Sequence, residues 1–408
     1  MDADFPHVRH LQALREVAEC RRINVAAGRV HMSQPAVTQA IAGIERALGT
    51  PLFDRRPEGM FATEAGALFL HRVARALDLL KEGERQARRR SADSGRRDFH
   101  RLATPVQLRA LVAVADTGSF SQAARHLGVS QPGVHRATRD LERLAGIALF
   151  EPVRRGVTLT PAAEAFVLQV RLAASEVRQG RYEVSELMGR DSTRICGGAM
   201  PLSRAAILPE AIARLLRDSA GPVQVQCIDA PYETLVHDLR FGTLDFLIGA
   251  LRDPLPAPDV VQEPLFRDRL HVVAARDHPL RQAARPTLED TLAYPWIAPP
   301  RPTPSGTYLF EHLRIPQRPH TPVRIVSSSM VLIRGLMMRG DYVTIMSDHQ
   351  IAVERAFGFL APLPIALENA TLDIGFTFRA GWQPTATQTR FLDLIRRAAR
   401  QPAEVPPL

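Results

Sequence analysis

The chain has 408 residues, 45% apolar and 23% charged, the composition of two to four globular domains with real cores. Its net charge of +9 lies almost wholly in front: residues 1–190 hold 29 Lys+Arg against 21 Asp+Glu, residues 191–408 hold 23 against 22. That bias suits a polyanion partner, no run reaches the ~18 apolar residues of a membrane-spanning helix, and three scattered cysteines exclude a disulfide framework.

The N-terminus, Met1-Asp2-Ala3-Asp4, is acidic and leads into no apolar h-region, so no signal peptide and a cytoplasmic location are expected. Residues 8–66 then recur as 105–163 at a constant offset of 97, with 20 of 59 positions identical. A repeat this long is a duplicated domain rather than a solenoid unit. In each copy Leu11, Leu14, Val17 and Ala18, or Leu108, Leu111, Val114 and Ala115, line a first helix at helical spacing. Asn24 and Ser121 are expected to N-cap a second helix, whose Ala26-Ala27 and Ala123-Ala124 allow close crossing. Ser33 and Ser130 cap a third, with Pro35 and Pro132 in its first turn and Gly49 and Gly146 at its C-cap. Short extended stretches around Gly59 and Gly156 then make a β-wing, so each copy reads as a winged helix-turn-helix.

A long helix follows each copy, over residues 68–90 and 161–188. Residues 91–101, polar and broken by Gly95, are expected to form an exposed linker. From about residue 192 strands (194–199, 223–228, 244–248, 270–274, 323–326, 345–347, 359–362, 372–379) alternate with helices (205–216, 233–241, 330–339, 387–400), the pattern of a largely parallel sheet. Prolines at 254, 256 and 258 mark a crossing into a second lobe, so two α/β lobes should enclose a cleft. The fold class expected is α/β multidomain. The domains expected are winged helices over 5–66 and 102–163, a linker helix and basic linker over 67–101, and a linker (dimerisation) helix over 164–190. Effector lobe 1 is expected over 191–256 and 346–400, and lobe 2 over 257–345.

The third helix of a helix-turn-helix lies in the major groove with its N-terminal residues at the base edges. In copy 2 the candidates are Ser130, Gln131, Val134, His135, Arg136 and Arg139. Arg136 can bond guanine bidentately, Gln131 suits adenine, and Val134 can meet a thymine methyl. In copy 1 they are Ser33, Gln34, Val37, Thr38 and Gln39, with Ala42 opposite Arg139. Arg55 and Arg56 in one wing, and Arg154 and Arg155 in the other, are placed for phosphates.

The runs Ala26-Ala27, Ser33-Gln34-Pro35-Ala36-Val37, Leu52-Phe53-Asp54-Arg55 and Thr63-Glu64-Ala65-Gly66 resemble the N-terminal winged helix of LysR-type transcriptional regulators. So do Gly118-Ser119-Phe120, Ser130-Gln131-Pro132, Leu149-Phe150 and Thr158-Leu159-Thr160. Leu208-Pro209, residues 242–249 and 327–329 fall where the family's effector domain has similar segments, so the likeness spans essentially the whole chain. The departure is the extra copy, since the family normally carries one winged helix. Copy 2 holds the family's standard place and ranks as primary reader; copy 1 either reads DNA as well or serves assembly.

The resemblance implies a rear half of periplasmic-binding type (type 2), closing two lobes on a small molecule. By family position the ligand residues would be Ser203, Tyr232, Thr303, Ser305, Thr307 and Ser328, a hydroxyl-rich set suited to a carboxylate. It also implies as partners double-stranded DNA, a small-molecule effector (an organic or aromatic acid or sugar derivative) and RNA polymerase. A homodimer or homotetramer is implied, with residues 161–188 pairing between subunits and winged helices over half-sites one or two DNA turns apart. Control of catabolic genes is the expected role.

Catalysis finds no support. His7/His10 and His271/His278 come without clustered carboxylates, there is no G-x-S-x-G or P-loop, and Gly197-Gly198 lacks a dinucleotide fingerprint. No enzyme activity, cofactor, metal or membrane partner is expected. The rival readings are a solute-binding protein and a DNA-tethered enzyme using the rear cleft.

Overall fold

A computed structural model describes residues 5–91, 95–154, 156–318 and 321–400. The chain divides into two compact units, Met1–Thr193 with Ala220–Val223, and Arg194–Ser219 with Gln224–Leu408.

The front unit repeats one order of elements. It runs α1 (Val8–Cys20), α2 (Ile23–Arg29), α3 (Gln34–Leu48), a wing of β1 (Phe53–Arg56) and β2 (Gly59–Ala62), and α4 (Glu64–Arg90). After a short α5 (Phe99–Leu102) come α6 (Pro105–Thr117), α7 (Phe120–Leu127), α8 (Gln131–Ala145), a wing of β3 (Phe150–Pro152) and β4 (Val157–Leu159), and α9 (Pro161–Leu187).

Residues identical in both copies do the same work twice. Ser33 and Ser130 accept the N–H groups of Ala36 and Gly133 at 3.3 and 3.2 Å, capping α3 and α8. Glu45 accepts the backbone N–H groups of Leu52 and Phe53, and Glu142 those of Leu149 and Phe150, tying each third helix to its wing. Thr63 and Thr160 donate to the carbonyls of Pro51 and Ala148 at 2.9 Å while capping α4 and α9. The wing glycines are sterically obligatory. A Cβ on Gly59 (φ 136°) or Gly156 (φ 99°) would stand 2.5 or 2.3 Å from the carbonyl oxygen of Arg21 or Gly118.

Three local expectations fail. Asn24 and Ser121 lie inside α2 and α7; the cap of α7 is Ser119, which accepts from Gln122 N–H at 3.4 Å. Copy 1 has Arg22 at that place, with no acceptor to offer, and Arg21 takes a left-handed φ of 57° where copy 2 has Gly118 at 61°. The stretch expected to be an exposed linker is tied down from Arg96 onward, where the Arg96 N–H donates to the Ala145 carbonyl at 2.7 Å. Glu84 accepts from the N–H groups of Asp98 and His100 and pairs with His100 Nδ1 at 2.6 Å, while Phe99 packs edge-on against Phe166. Residues 92–94 of that stretch lie outside the described residues.

The third concerns α9. Its apolar face, expected to meet another subunit, is covered by α4 of the same chain, and the two run antiparallel. Phe69, Val73, Ala76 and Leu80 of α4 and Phe166, Val170, Ala173 and Val177 of α9 are all buried in one core with both winged helices. Each buried phenylalanine contributes roughly 1.5–3 kcal/mol.

In the rear unit β5 (Arg194–Ala199) is followed by α10 (Pro201–Arg204), α11 (Ile207–Asp218), β6 (Gln224–Ile228), α12 (Tyr232–Arg240) and β7 (Phe246–Ala250). Then come β8 (Val260–Ala275), β9 (Trp296–Ala298), α13 (Pro304–Thr307), β10 (Val323–Val326) and α14 (Met330–Met337). The chain closes with β11 (Val343–Ser347), α15 (Ala352–Ala356), β12 (Leu360–Pro362), β13 (Thr371–Arg379) and α16 (Ala386–Arg400).

Strands β5, β6 and β7 pair in parallel, β13 pairs antiparallel with β7, and β13 also pairs with the first part of β8. The later part of β8 pairs antiparallel with β11 and β12, and β9 joins β10 and β11 in parallel. This pairing moves both expected lobe boundaries. Residues 260–269 pair with β13 and belong to lobe 1, so the crossing falls inside β8 and not at 256/257. Residues 346–347 and 360–362 pair with β8 in lobe 2, so the return falls just before β13 and not at 345/346. Pro264 did not break the strand because it sits at a register shift opposite Gly375, whose missing Cβ would stand 2.1 Å from the carbonyl oxygen of Glu263.

Candidate functional site

Two places carry the chemistry. The first is the outer face of α3 and α8. Helical spacing turns Val134, Ala137, Thr138, Leu141 and Ala145 into the core of copy 2 and leaves Gln131, His135, Arg136 and Arg139 exposed. Val134, expected to meet a thymine methyl, and its copy 1 counterpart Val37 are therefore core residues, 1% and 0% exposed, turned away from the outer face. In copy 1 Ser33, Gln34 and Gln39 are exposed and Thr38 is half-buried, its hydroxyl donating to the Gln34 carbonyl at 3.1 Å.

The copy 2 face is pre-ordered. Gln131 Oε1 accepts from the Ser121 hydroxyl at 2.9 Å, the His135 ring packs edge-on against Phe120, and Arg139 pairs with Glu142 at 3.0 Å. Arg136 stays exposed between them. Both wings present cations. Arg55 is exposed, Arg56 pairs with Asp54 at 3.5 Å, and both Arg21 and Arg56 stack on Phe61, at 4.8 and 5.1 Å. Arg154 is exposed in the second wing; Arg155 lies outside the described residues.

The second place is a cavity of about 450 Å³ between the lobes of the rear unit. Four of the six expected ligand residues line it: Tyr232, Thr303, Ser305 and Ser328. Two do not. Ser203 is fully buried and its hydroxyl donates to the Met200 carbonyl at 2.8 Å, while Thr307 spends its hydroxyl on the Arg301 carbonyl at 3.1 Å. Thr303 is largely committed as well, donating to the Pro300 carbonyl and accepting from Gly306 N–H.

The sequence reading missed Arg204, Arg252, Ser327, Ser347 and Gln350, all lining the cavity. A signal existed: Arg204 and Ser327 adjoin expected residues, and Arg252 and Ser347 stand at or just past the C-terminal ends of strands, where α/β clefts bind. Arg204 pairs with Asp229, and Arg252 lies 4.6 Å over the Tyr232 ring. Burial pushes the Tyr232 phenol up; like any phenol it is a donor at neutral pH. Ser347 Oγ is buried at the cavity wall with no hydrogen-bond partner among the described residues, which an incoming acceptor or donor would satisfy.

The bacterial regulatory helix-turn-helix, lysR family, model matches residues 8–67 and again 105–164, and the LysR substrate binding domain model matches 189–400. The chain belongs to the LysR family of transcriptional regulators. It is a DNA-binding regulator with an effector-binding domain. It is 32% identical over 406 residues to the HTH-type transcriptional regulator GalR of Pseudomonas putida, covering 99% of this chain and 100% of that protein. PcaQ of Agrobacterium fabrum is 29% identical over 293 residues, 72% of this chain and 94% of its own length. Among solved structures, a full-length OxyR variant from Pseudomonas aeruginosa superposes with a TM-score of 0.50 at 22% identity, over 72% of this chain and 94% of that one. Full-length LysG from Corynebacterium glutamicum with bound effector Arg gives 0.50 at 21% identity, over 72% and 98%. At these identities the likeness is one of fold. Among the described residues no helix is long and apolar enough to cross a membrane.

Proposed function

We propose that this LysR-family regulator grips double-stranded DNA with both winged helices and changes its grip when a small organic acid enters the rear cleft. The observation that carries the first part is that copy 1 keeps, contact for contact, the cap, wing anchor and wing glycine of copy 2 while exposing Gln34, Gln39 and Arg55. Footprints of wild type and an Arg55→Ala/Arg56→Ala variant test it: the variant should lose part of the protected region, and identical protection would leave copy 1 an assembly module.

The acid is supported by Arg252, the raised Tyr232 phenol and the unpartnered Ser347 hydroxyl around one cavity. The ligand would be an organic or aromatic acid or a sugar derivative, of which 450 Å³ holds one. It shifts the regulator only as far as its affinities for the two states differ. Control of catabolic genes through RNA polymerase, a homodimer or homotetramer, a cytoplasmic location and the lack of an enzyme activity complete the reading. Titrating candidate acids while following tryptophan fluorescence, in wild type and Ser347→Ala, tests the cleft; equal affinity in both would remove Ser347 from it.

A further inference from the structure

We propose that one chain by itself assembles a two-fold-related pair of winged helices, locked by α4 against α9 in cis, and reads a two-part DNA site whose halves differ in sequence. The DNA half of this rests on the proposed reading by copy 1; the pairing half does not.

The symmetry is written in the contacts. A Cβ on Gly83 would meet Gln169 Cβ at 2.8 Å and Phe166 Cδ2 at 3.1 Å. A Cβ on Gly180 would meet Arg72 Cβ and Phe69 Cδ2, both at 3.0 Å. Gly180, Gln169 and Phe166 are the repeat equivalents of Gly83, Arg72 and Phe69 at the same offset of 97. Residue i thus meets residue j and the equivalent of j meets that of i, which is the signature of an isologous two-fold interface, here inside one polypeptide. The far ends match in outline: Gly49 at the end of α3 meets Arg190 beyond α9, and its equivalent Gly146 meets Arg96 beyond α4, although these two arginines are not repeat equivalents.

One feature breaks the symmetry, and it dictates the partner. Arg72, 2% exposed, pairs with Glu183 at 3.0 Å and Glu176 at 2.9 Å, and Glu176 also takes Arg75 at 2.9 Å. The repeat equivalents of Glu176 and Glu183 are Leu79 and Gln86. An α4·α4 pair would therefore bury Arg72 against Leu79 and Gln86, without a carboxylate. An α9·α9 pair would bury Glu176 and Glu183 against Gln169, without a cation. Buried unpaired charge is among the most costly defects an interface can hold, so only α4 with α9 is satisfied. The covalent path favours the same chain, because Glu84 and Phe166 hold residues 98–100, which enter copy 2, against this helix pair.

With a head at each end of the pair, the two readers are not equal. One side offers Gln34, Thr38 and Gln39, the other Gln131, His135, Arg136 and Arg139. An inverted arrangement of unlike half-sites is the complementary DNA.

In the full chain with Cys20, Cys196 and Cys227 changed to Ser, Gly83→Cys with Gln169→Cys should oxidise to a species of monomer mass on a non-reducing gel. A dimer-mass species overturns cis pairing. Because cysteine at Gly83 is tight, a second arm uses charge reversal. Arg72→Glu and Glu176→Arg/Glu183→Arg should each lower the thermal transition, and all three together in one chain should restore it. Restoration by mixing the two separate variants instead would mean pairing between chains and end the proposal. Selection from random duplexes should return a two-part site with unlike halves, Arg136→Ala relaxing base preference in one half and Gln34→Ala/Gln39→Ala in the other. A palindromic consensus, or a consensus of one half only, overturns the two-headed reader even where the cross-link is intramolecular.

Discussion

Copy 1 and copy 2 fold alike and are equipped differently. Copy 2 starts its second helix with a glycine in the left-handed turn and a serine cap; copy 1 makes the same turn with Arg21 and Arg22, a side chain in an unfavourable φ and a cap without an acceptor. On the third helix copy 2 exposes Arg136 and Arg139, where copy 1 has Gln39 and Ala42. Where the copies meet, in α4 and α9, four buried pairs stay identical (Phe69 and Phe166, Val73 and Val170, Ala76 and Ala173, Gly83 and Gly180), Leu80 becomes Val177, and the charged ones diverge into complements. The divergence lies in the exposed face of the third helix and in the charges between α4 and α9, while the apolar and glycine positions that pack the two helices are shared.

The comparison breaks hardest at Arg72. Arg72→Leu leaves Glu176 and Glu183 facing an apolar side chain, and should cost about 3–5 kcal/mol, seen as a large drop in the first thermal transition. The equivalent change Gln169→Leu removes a neutral amide and should cost under about 1 kcal/mol. Equal losses would deny the asymmetry of the pair.

Next comes Glu84, whose repeat equivalent is Arg181. Burial alone would raise its carboxyl, but the hydrogen bonds from His100 and from the N–H groups of His100 and Asp98 outweigh it and hold the carboxyl below its ordinary 4.5. A depressed carboxyl stabilises the fold fully above pH 4.5, and the contribution is lost as pH falls through the lower folded value. Glu84→Gln should lower the melting temperature at pH 7 by a margin that shrinks towards pH 3, tracking about 1.5–3 kcal/mol of charged hydrogen bonding. A pH-independent difference would assign the effect to packing.

For reading, Arg136→Ala should cost about 1–3 kcal/mol of DNA affinity and flatten base preference at its position, whereas Gln39→Ala in copy 1 should cost less. Gel shifts over a salt series check both; a larger loss from Gln39 would reverse the ranking of the copies.

The duplication, the winged helices and nearly every strand were legible, because cap serines, turn glycines and apolar spacing are local signals. The repeat extends beyond the winged helices: the same offset of 97 runs on through Gly83 and Gly180, and names the helix pair. Partner choice was not legible from α9 alone, since an apolar stripe does not say which helix covers it. In the cleft, Tyr232 and Ser328 follow from position, but Ser203 and Thr307 turn their hydroxyls to carbonyls three and six residues away, and a list of residue types does not reveal that competition. Arg252 and Ser347 needed the strand order, which placed their strand ends on one cavity. Lobe boundaries were misplaced because one 16-residue strand serves both lobes.

The smallest effects sit at the start of the second helix. Ser119→Ala deletes the cap of α7 and should cost about 1 kcal/mol; Arg22→Ser in copy 1 installs the missing acceptor and should gain a similar amount. Arg21→Gly relieves a left-handed residue, worth about 1 kcal/mol, but frees the unfolded chain as well, which takes back part of the gain. It also removes the guanidinium stacked on Phe61. The net stabilisation should therefore be small while DNA affinity at low salt falls slightly, because the same cation faces the wing. If Arg21→Gly raised stability with no change in the salt dependence of binding, Arg21 would be a relic of drift. If the slope also became shallower, the strain in copy 1 would be what keeps a phosphate-facing charge in place.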